Sequence, residues 1–208
     1  MITLQGLIAW LKALAEVYTG HKEYLTELDA AIGDADHGTN MARGFTAVDA
    51  ALDANPVNDV QALFRLVSMT LIKTVGGSSG PLFGTFFMKM ALNLPAGAES
   101  ISLAQFCEAC DAGVSGMCVI GKSHVGEKTM LDALVPALTA MKAAVAADKP
   151  SKEAFASMVA AAEEGMKATI PMLATKGRAS YLGERSIGHQ DPGATSVYLM
   201  LNTMAGML

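Results

Sequence analysis

Asp29, Asp34 and Asp36 fall within eight residues of one another, five and then two apart, in a stretch from Leu28 to Arg43 punctuated by Gly33 and Gly38. Three converging carboxylates repel one another, and unless a cation sits among them at least one is pushed toward protonation. Donors that are all oxygen, with no cysteine near them in the sequence, select a hard ion, Mg2+ or Ca2+. An EF-hand is excluded: with Asp34 at loop position one and Asp36 at three, position twelve is Phe45, where a bidentate Glu is required. Two readings remain. The aspartates are cap and turn residues on a solvated loop, or they form a Mg2+ site completed by water and a phosphate ligand.

A cradle for such a phosphate is encoded further along. Gly76-Gly77-Ser78-Ser79-Gly80 precedes a helix with Pro81 near its first turn; glycines let backbone N–H groups approach an anion, and the helix N-terminus adds about half a positive charge. The competing explanation is a small-residue loop under tight packing. Gly116 to Ser123 matches the P-loop pattern G-x-x-x-x-G-K-[ST] letter for letter. Its preceding segment reads as helix and its middle residues are bulky and apolar, so the match is one of chance. Lys176 to Gly193 is the longest run without a predicted element, and such loops in compact domains are lids or binding loops. Within it Arg178 and Arg185 can neutralise developing phosphate charge, and His189 can do acid–base work or simply hydrogen-bond. Met130, Leu131 and Leu134 offer an apolar wall for a base, or belong to the core. Cys107 and Cys110 form a C-x-x-C inside a helical pattern with no strand before it, against a redox motif. Adding Cys118 and His124 gives four nominal zinc ligands at irregular spacing, and buried thiols on a helix face are the better account.

The elements that must position these residues are helical. Of the 208 residues, 51% are hydrophobic, 17% charged and 6% aromatic, which predicts one domain over residues 1–208 with a sizeable aliphatic, Met-rich core. A net charge of −5 and a pI near 5.3 argue against a nucleic-acid partner. No secretory signal or membrane span is indicated, so a cytoplasmic protein is expected. Helical periodicity runs through nearly every segment, without β-branched alternation. Runs are predicted from Thr3 to Tyr18 with Thr3 as N-cap, Lys22 to Ile32, Thr39 to Leu52, and Asn58 or Asp59 to Thr74. Others follow from Leu82 to Leu94, Ser102 to Met117, Thr129 to Ala147, Ser151 to Leu173, and Pro192 or Gly193 to Met204. About eight antiparallel helices of this kind make an all-α bundle or closed up-down barrel. The polar loops Gly33–Asn40, Gly76–Gly80, Gly121–Lys128 and Lys176–Gly193 follow alternate helices. In an up-down arrangement all four crowd one end, which predicts a single site there.

Taken together, the loops Gly33 to Met41, Gly76 to Thr85, Lys128 to Asp132 and Gly177 to Ala194 resemble the ADP-binding L subunit of the phosphoenolpyruvate-dependent dihydroxyacetone kinases, over essentially the whole chain. The resemblance implies an eight-helix barrel with the nucleotide at one end. Asp29, Asp34 and Asp36 would hold two Mg2+ ions there and, with Arg178, serve catalysis. It also implies that His37, Gly38, Thr39 and Asn40, with Gly77, Ser78, Ser79 and Gly80, line the phosphates. Gly121, Met130, Arg178, Asp191, Pro192 and Gly193 would surround the nucleoside. In that family ADP is retained, rephosphorylated in place by the phosphohistidine of a phosphotransferase M subunit, and passes its γ-phosphoryl to dihydroxyacetone on a separate K subunit. Phosphoryl transfer asks for positioning and charge neutralisation and no nucleophile from the chain.

ATP-dependent dihydroxyacetone kinases and fatty-acid kinase nucleotide domains carry a similar turn, usually with Gly between the carboxylates. The Asp-Ala-Asp-His turn here, and the lack of a second domain for dihydroxyacetone, favour the phosphotransferase-coupled subunit over an ATP-exchanging kinase. A non-catalytic nucleotide-sensing subunit would use the same residues, and a carrier of aliphatic ligands would use the Met-rich interior. The sequence leaves ADP exchange and oligomeric state open, a homodimer included.

Overall fold

A computed structural model describes residues 1–208. Nine α-helices account for most of the chain: α1 Leu4–Gly20, α2 Lys22–Ile32, α3 His37–Ala54, α4 Val60–Thr74, α5 Ser79–Leu92, α6 Leu103–Gly121, α7 Leu131–Ala146, α8 Ser151–Ala168 and α9 Pro192–Met207. Several start where side-chain chemistry dictates. Thr3 Oγ1 accepts the Gly6 N–H at 3.1 Å to cap α1, Asp59 accepts from Ala62 at 2.7 Å to cap α4, and Ser102 and Gln105 form a reciprocal capping box on α6.

Each helix packs on its successor from α3 through α9, and α9 packs back on α1, which packs on α3; the ring is closed. Both α1 and α2 lie between α3 and α9, and the hydrogen bonds His21 N–H to Val17 and Leu25 N–H to His21 carry the helical ladder across their joint. They therefore form one bent leg, and the barrel has eight legs. The all-α, up-down reading holds. Two very short strands, β1 Ile2–Thr3 and β2 Ser100–Ile101, pair antiparallel and tie the chain's start to the α5–α6 connection. Two residues are too few for alternation to be visible in a sequence.

The core is a cluster of 49 buried residues drawn from the ring. It is less aliphatic at its centre than the composition predicts, because all seven phenylalanines are buried. Phe87 meets Phe86, Phe64 and Trp10 at ring-centroid distances of 5.3, 5.7 and 6.3 Å. Trp10 Nε1 donates to the Met200 carbonyl at 3.0 Å and the Tyr18 hydroxyl to the Ser196 carbonyl at 2.8 Å, so the two largest polar-tipped side chains of α1 are satisfied by the backbone of α9. α6 is long and apolar enough to cross a bilayer, and its Phe106, Cys107, Cys110 and Met117 lie buried in the ring. Burial pushes the Cys107 thiol up to about 11 and the Cys110 thiol well above the usual range, so both are protonated core side chains.

The structure moves several predicted boundaries. α3 begins at His37 and α5 at Ser79, earlier than periodicity indicated, α6 runs on to Gly121, and α8 stops at Ala168. The loop expected to lack structure contains a 3-10 helix, Arg178–Ser186, with a kink at Gly183 where φ is +57°. Ser186 fastens it, donating to the Gly183 carbonyl at 2.7 Å and accepting the Ala174 N–H at 3.0 Å.

Candidate nucleotide and metal site

The four polar loops meet in one cavity of about 390 Å3, within the range of small-ligand sites. The legs α3, α5, α7 and α9 all begin at this end. Helix N-termini leave backbone N–H groups without partners and carry partial positive charge. α5 has no side-chain cap, so its leading N–H groups are left for a ligand, beside Gly77 at φ +62°.

Asp29, near the end of α2, turns one carboxylate oxygen, Oδ2, to the N–H groups of Asp36 and His37 at 2.9 and 3.1 Å, and so caps α3 from across the turn. A Cβ on Gly33 would stand 2.0 Å from the other oxygen, so only glycine lets the carboxylate sit there. Ala35 follows at φ +60°, a left-handed position that a non-glycine residue rarely takes. This strained turn brings oxygen atoms of Asp29, Asp34 and Asp36 within 4.8 Å of one another. Asp29 is buried, the other two are exposed, and the Arg178 guanidinium reaches Asp34 at 2.9 Å from the 3-10 helix. An all-oxygen set of this span, open to the cavity on one side, suits a hexacoordinate Mg2+ that keeps water or phosphate ligands.

Another wall of the cavity is shaped on α3. Arg43 donates to Asn40 Oδ1 at 2.5 Å and to the Thr74 carbonyl at 2.7 Å. With its oxygen engaged, Asn40 has its amide N–H groups to offer an anion. His37 is buried, its Nε2 2.7 Å from Ser196 Oγ and its Nδ1 3.3 Å from Ser79 Oγ, and burial holds it below the usual histidine range. The imidazole is thus a neutral strut between α3, α5 and α9.

Asp191 caps α9 through the Ala194 N–H at 2.7 Å. Its carboxyl is pushed up to about 7, chiefly by burial, with Asp132 and Asp29 adding and the Ala194 N–H and Lys128 opposing. Asp132 takes the Gly126 and Thr129 N–H groups at 2.5 and 2.7 Å and so shapes the loop that carries Met130. Leu82, Met117, Ile120 and Met130 give the cavity an apolar side, where the buried Ser123 hydroxyl has no partner in the protein. An apolar wall with an orphan hydroxyl, opposite carboxylates and free helix amides, fits a nucleotide with its metal.

Of the residues singled out from sequence, the structure brings Asp29, Asp34, Asp36, His37, Asn40, Gly77, Ser78, Ser79, Gly121, Met130, Arg178, Asp191, Pro192 and Gly193 into this cavity. Gly38, Thr39 and Gly80 lie outside its lining. Gly38 and Gly80 instead permit close packing, their hypothetical Cβ atoms falling 2.0 Å from the Lys22 carbonyl and 2.3 Å from that of Val75, and Thr39 is exposed. Arg185 and His189 are exposed and lie outside the cavity lining. Gly116 to Gly121 is helical, so the P-loop match has no phosphate nest. Ser123, Lys128 and Arg43 were missed. Arg43 stands three residues after Asn40 on one helix, a spacing that could have revealed it; the other two depend on tertiary contacts.

Residues 31–206 match the DAK2 domain. The chain is 43% identical to the PEP-dependent dihydroxyacetone kinase, ADP-binding subunit DhaL, of Escherichia coli K12, over 96% of this chain and 94% of that one. It is 41% identical to the corresponding PTS-dependent subunit of Lactococcus lactis, over 98% and 97%. The crystal structure of the Citrobacter freundii dihydroxyacetone kinase in complex with AMP-PNP and Mg2+ superposes with a TM-score of 0.74 at 28% identity, over 96% of this chain and 33% of that larger one. With nearly complete matches on both sides, the chain belongs to the DAK2 domain family, among the ADP-binding subunits of the phosphoenolpyruvate-dependent dihydroxyacetone kinases.

Proposed function

We propose that this chain is the ADP-binding subunit of a phosphoenolpyruvate-dependent dihydroxyacetone kinase, a single nucleotide-binding unit over residues 1–208. ADP stays bound as a cofactor, is phosphorylated in place by the phosphohistidine of an M subunit, and yields its γ-phosphoryl to dihydroxyacetone on a K subunit. The observation that carries this reading is the juxtaposition, in one cavity, of a three-carboxylate cluster with the uncapped N-terminus of α5. The names borne by relatives alignable over nearly their whole length support the same reading.

Asp29, Asp34 and Asp36 would hold two Mg2+ ions, which at such sites neutralise phosphoryl charge and keep the transferring group in line. The residues of the chain do the rest. Ser78, Ser79 and the α5 amides seat phosphate oxygens, Asn40 adds its amide donors, and Arg178 brings a guanidinium to the edge of the carboxylate cluster. Met130 and the apolar side receive the base. No side chain acts as nucleophile or general base, in keeping with a transfer between external groups.

The decisive experiment is to denature freshly purified, extensively dialysed protein and assay the supernatant for adenine nucleotide. About one ADP per chain is expected. An empty protein that turns over added ATP would establish an ATP-exchanging kinase instead.

A further inference from the structure

Two walls of the cavity meet around one ammonium group. Lys128 is 1% exposed and takes a left-handed backbone conformation, φ +61°. Its Nζ donates to the carbonyls of Thr169, Met172 and Ile170 at 2.7, 3.2 and 3.3 Å. These carbonyls follow the end of α8, where a helix presents partial negative charge, and three acceptors use all three ammonium protons. Lys128 therefore lines the cavity without a donor left for a phosphate.

The grip extends to both sides of the nucleoside half. On one side Lys128 is followed directly by Thr129 and Met130. On the other, Thr169 Oγ1 accepts the Asp191 N–H at 3.0 Å and donates to the Met166 carbonyl at 2.6 Å, and the Gly188 N–H donates to Ile170 at 2.8 Å. The walls touch at Gly193, where an added Cβ would lie 3.4 Å from Met130 Cβ and 3.0 Å from Asp191 Oδ2. The carboxylate cluster and the α5 N-terminus are built from other connections, and the clasped connection reaches the cluster through Arg178, 2.9 Å from Asp34.

We propose that Lys128 is a positioning residue for the nucleoside: by clasping the chain beyond α8 it sets the spacing between the Thr129–Met130 wall and the Asp191–Gly193 wall, and Thr169 relays that hold to Asp191. The assignment rests on the nucleotide reading above. It separates the cavity into a nucleoside half governed by Lys128 and a phosphate half built from other connections.

The test compares binding of ADP and of inorganic pyrophosphate, each with Mg2+, to the full chain stripped of nucleotide, by calorimetry. Lys128→Met keeps the stem and removes the ammonium; Thr169→Val breaks the relay at a second point. Both variants are expected to bind ADP about 10- to 100-fold more weakly, as misplaced supporting groups do, while pyrophosphate binding stays within about twofold of wild type, the phosphate half being untouched. Equal losses for ADP and pyrophosphate, the mark of general loosening, would overturn the proposal, as would unchanged ADP binding. Should Lys128→Met not fold, Thr169→Val carries the same comparison. Wild-type protein that binds pyrophosphate but not ADP would overturn the nucleotide reading itself, whereas wild-type ADP binding with unaffected variants overturns Lys128 alone.

Discussion

Asp29 commits one carboxylate oxygen to the backbone of Asp36 and His37, whereas Asp34 faces solvent and Arg178. Removing the first therefore uncaps α3 as well as depleting the cluster. Asp29→Ala is expected to cost about 1–2 kcal/mol, a fall in Tm of several degrees for a chain of this size. Asp34→Asn removes a repelling charge and a solvent-exposed ion pair of little net worth, so its Tm should stay within about 2 °C of wild type. Phosphoryl transfer should drop on the order of 100-fold or more for both, since each removes a proposed metal ligand. An unfolded Asp34→Asn protein would contradict this division of labour. Asp191 makes a second prediction. Its folded pKa of about 7 lies above the usual carboxylate value, so the folded chain binds the extra proton. The associated stability is complete below about pH 4 and is lost as pH rises through 7, up to roughly 4 kcal/mol. In metal- and nucleotide-free protein, Tm should fall from pH 5 to pH 8, and Asp191→Asn, which keeps the capping oxygen without the charge, should flatten that fall. Parallel Tm profiles for the two proteins would refute it.

At the scale of elements, α7 and α8 approach closely where Gly165 lies against the backbone of Asp132 and Ala133. A Cβ there would be 2.1 Å from the Asp132 carbonyl oxygen. Pro136, four residues further along α7, has no N–H to take that carbonyl, and the missing bond leaves it at the contact. Gly165→Ala is expected to destabilise by about 1–3 kcal/mol, as overpacking does. Gly206→Ala in α9 meets nothing within 4 Å and should be neutral or slightly stabilising in the same thermal melts. The helices themselves could be read from apolar periodicity, and the caps Thr3, Asp59 and Ser102 from side-chain type, because both signals are local. The start of α3 could not, because its cap is Asp29, reaching back from the previous helix. Residues 178–186 were unreadable for the opposite reason: Ser180 and Ser186 stabilise a 3-10 helix through bonds to Gly177 and Gly183 that leave no apolar stripe. The carboxylate cluster was legible because three like charges in so short a span need an explanation. Lys128 was not, since nothing in its neighbours in sequence announces three carbonyls more than forty residues away.

Across the whole molecule, alternation of direction around eight legs delivers four helix N-termini and four loops to one end, while the aromatic core fills the interior between them. Ligands that bind across those loops stabilise only the folded ring. Chelating Mg2+ from ADP-loaded protein should therefore release nucleotide and lower Tm by several degrees, with recovery on adding back both; recovery with ADP alone would show that the carboxylates need no metal. The same layout leaves the chain's one tryptophan, Trp10, away from the cavity lining, 1% exposed, against Phe87 and bonded to α9 at the seam where the ring closes. Optically, the protein thus carries an internal gauge of one event. Its emission should be blue-shifted and indifferent to nucleotide or metal, and should move to the red only when α1 parts from α9, so that fluorescence times the opening of the barrel separately from the emptying of its site.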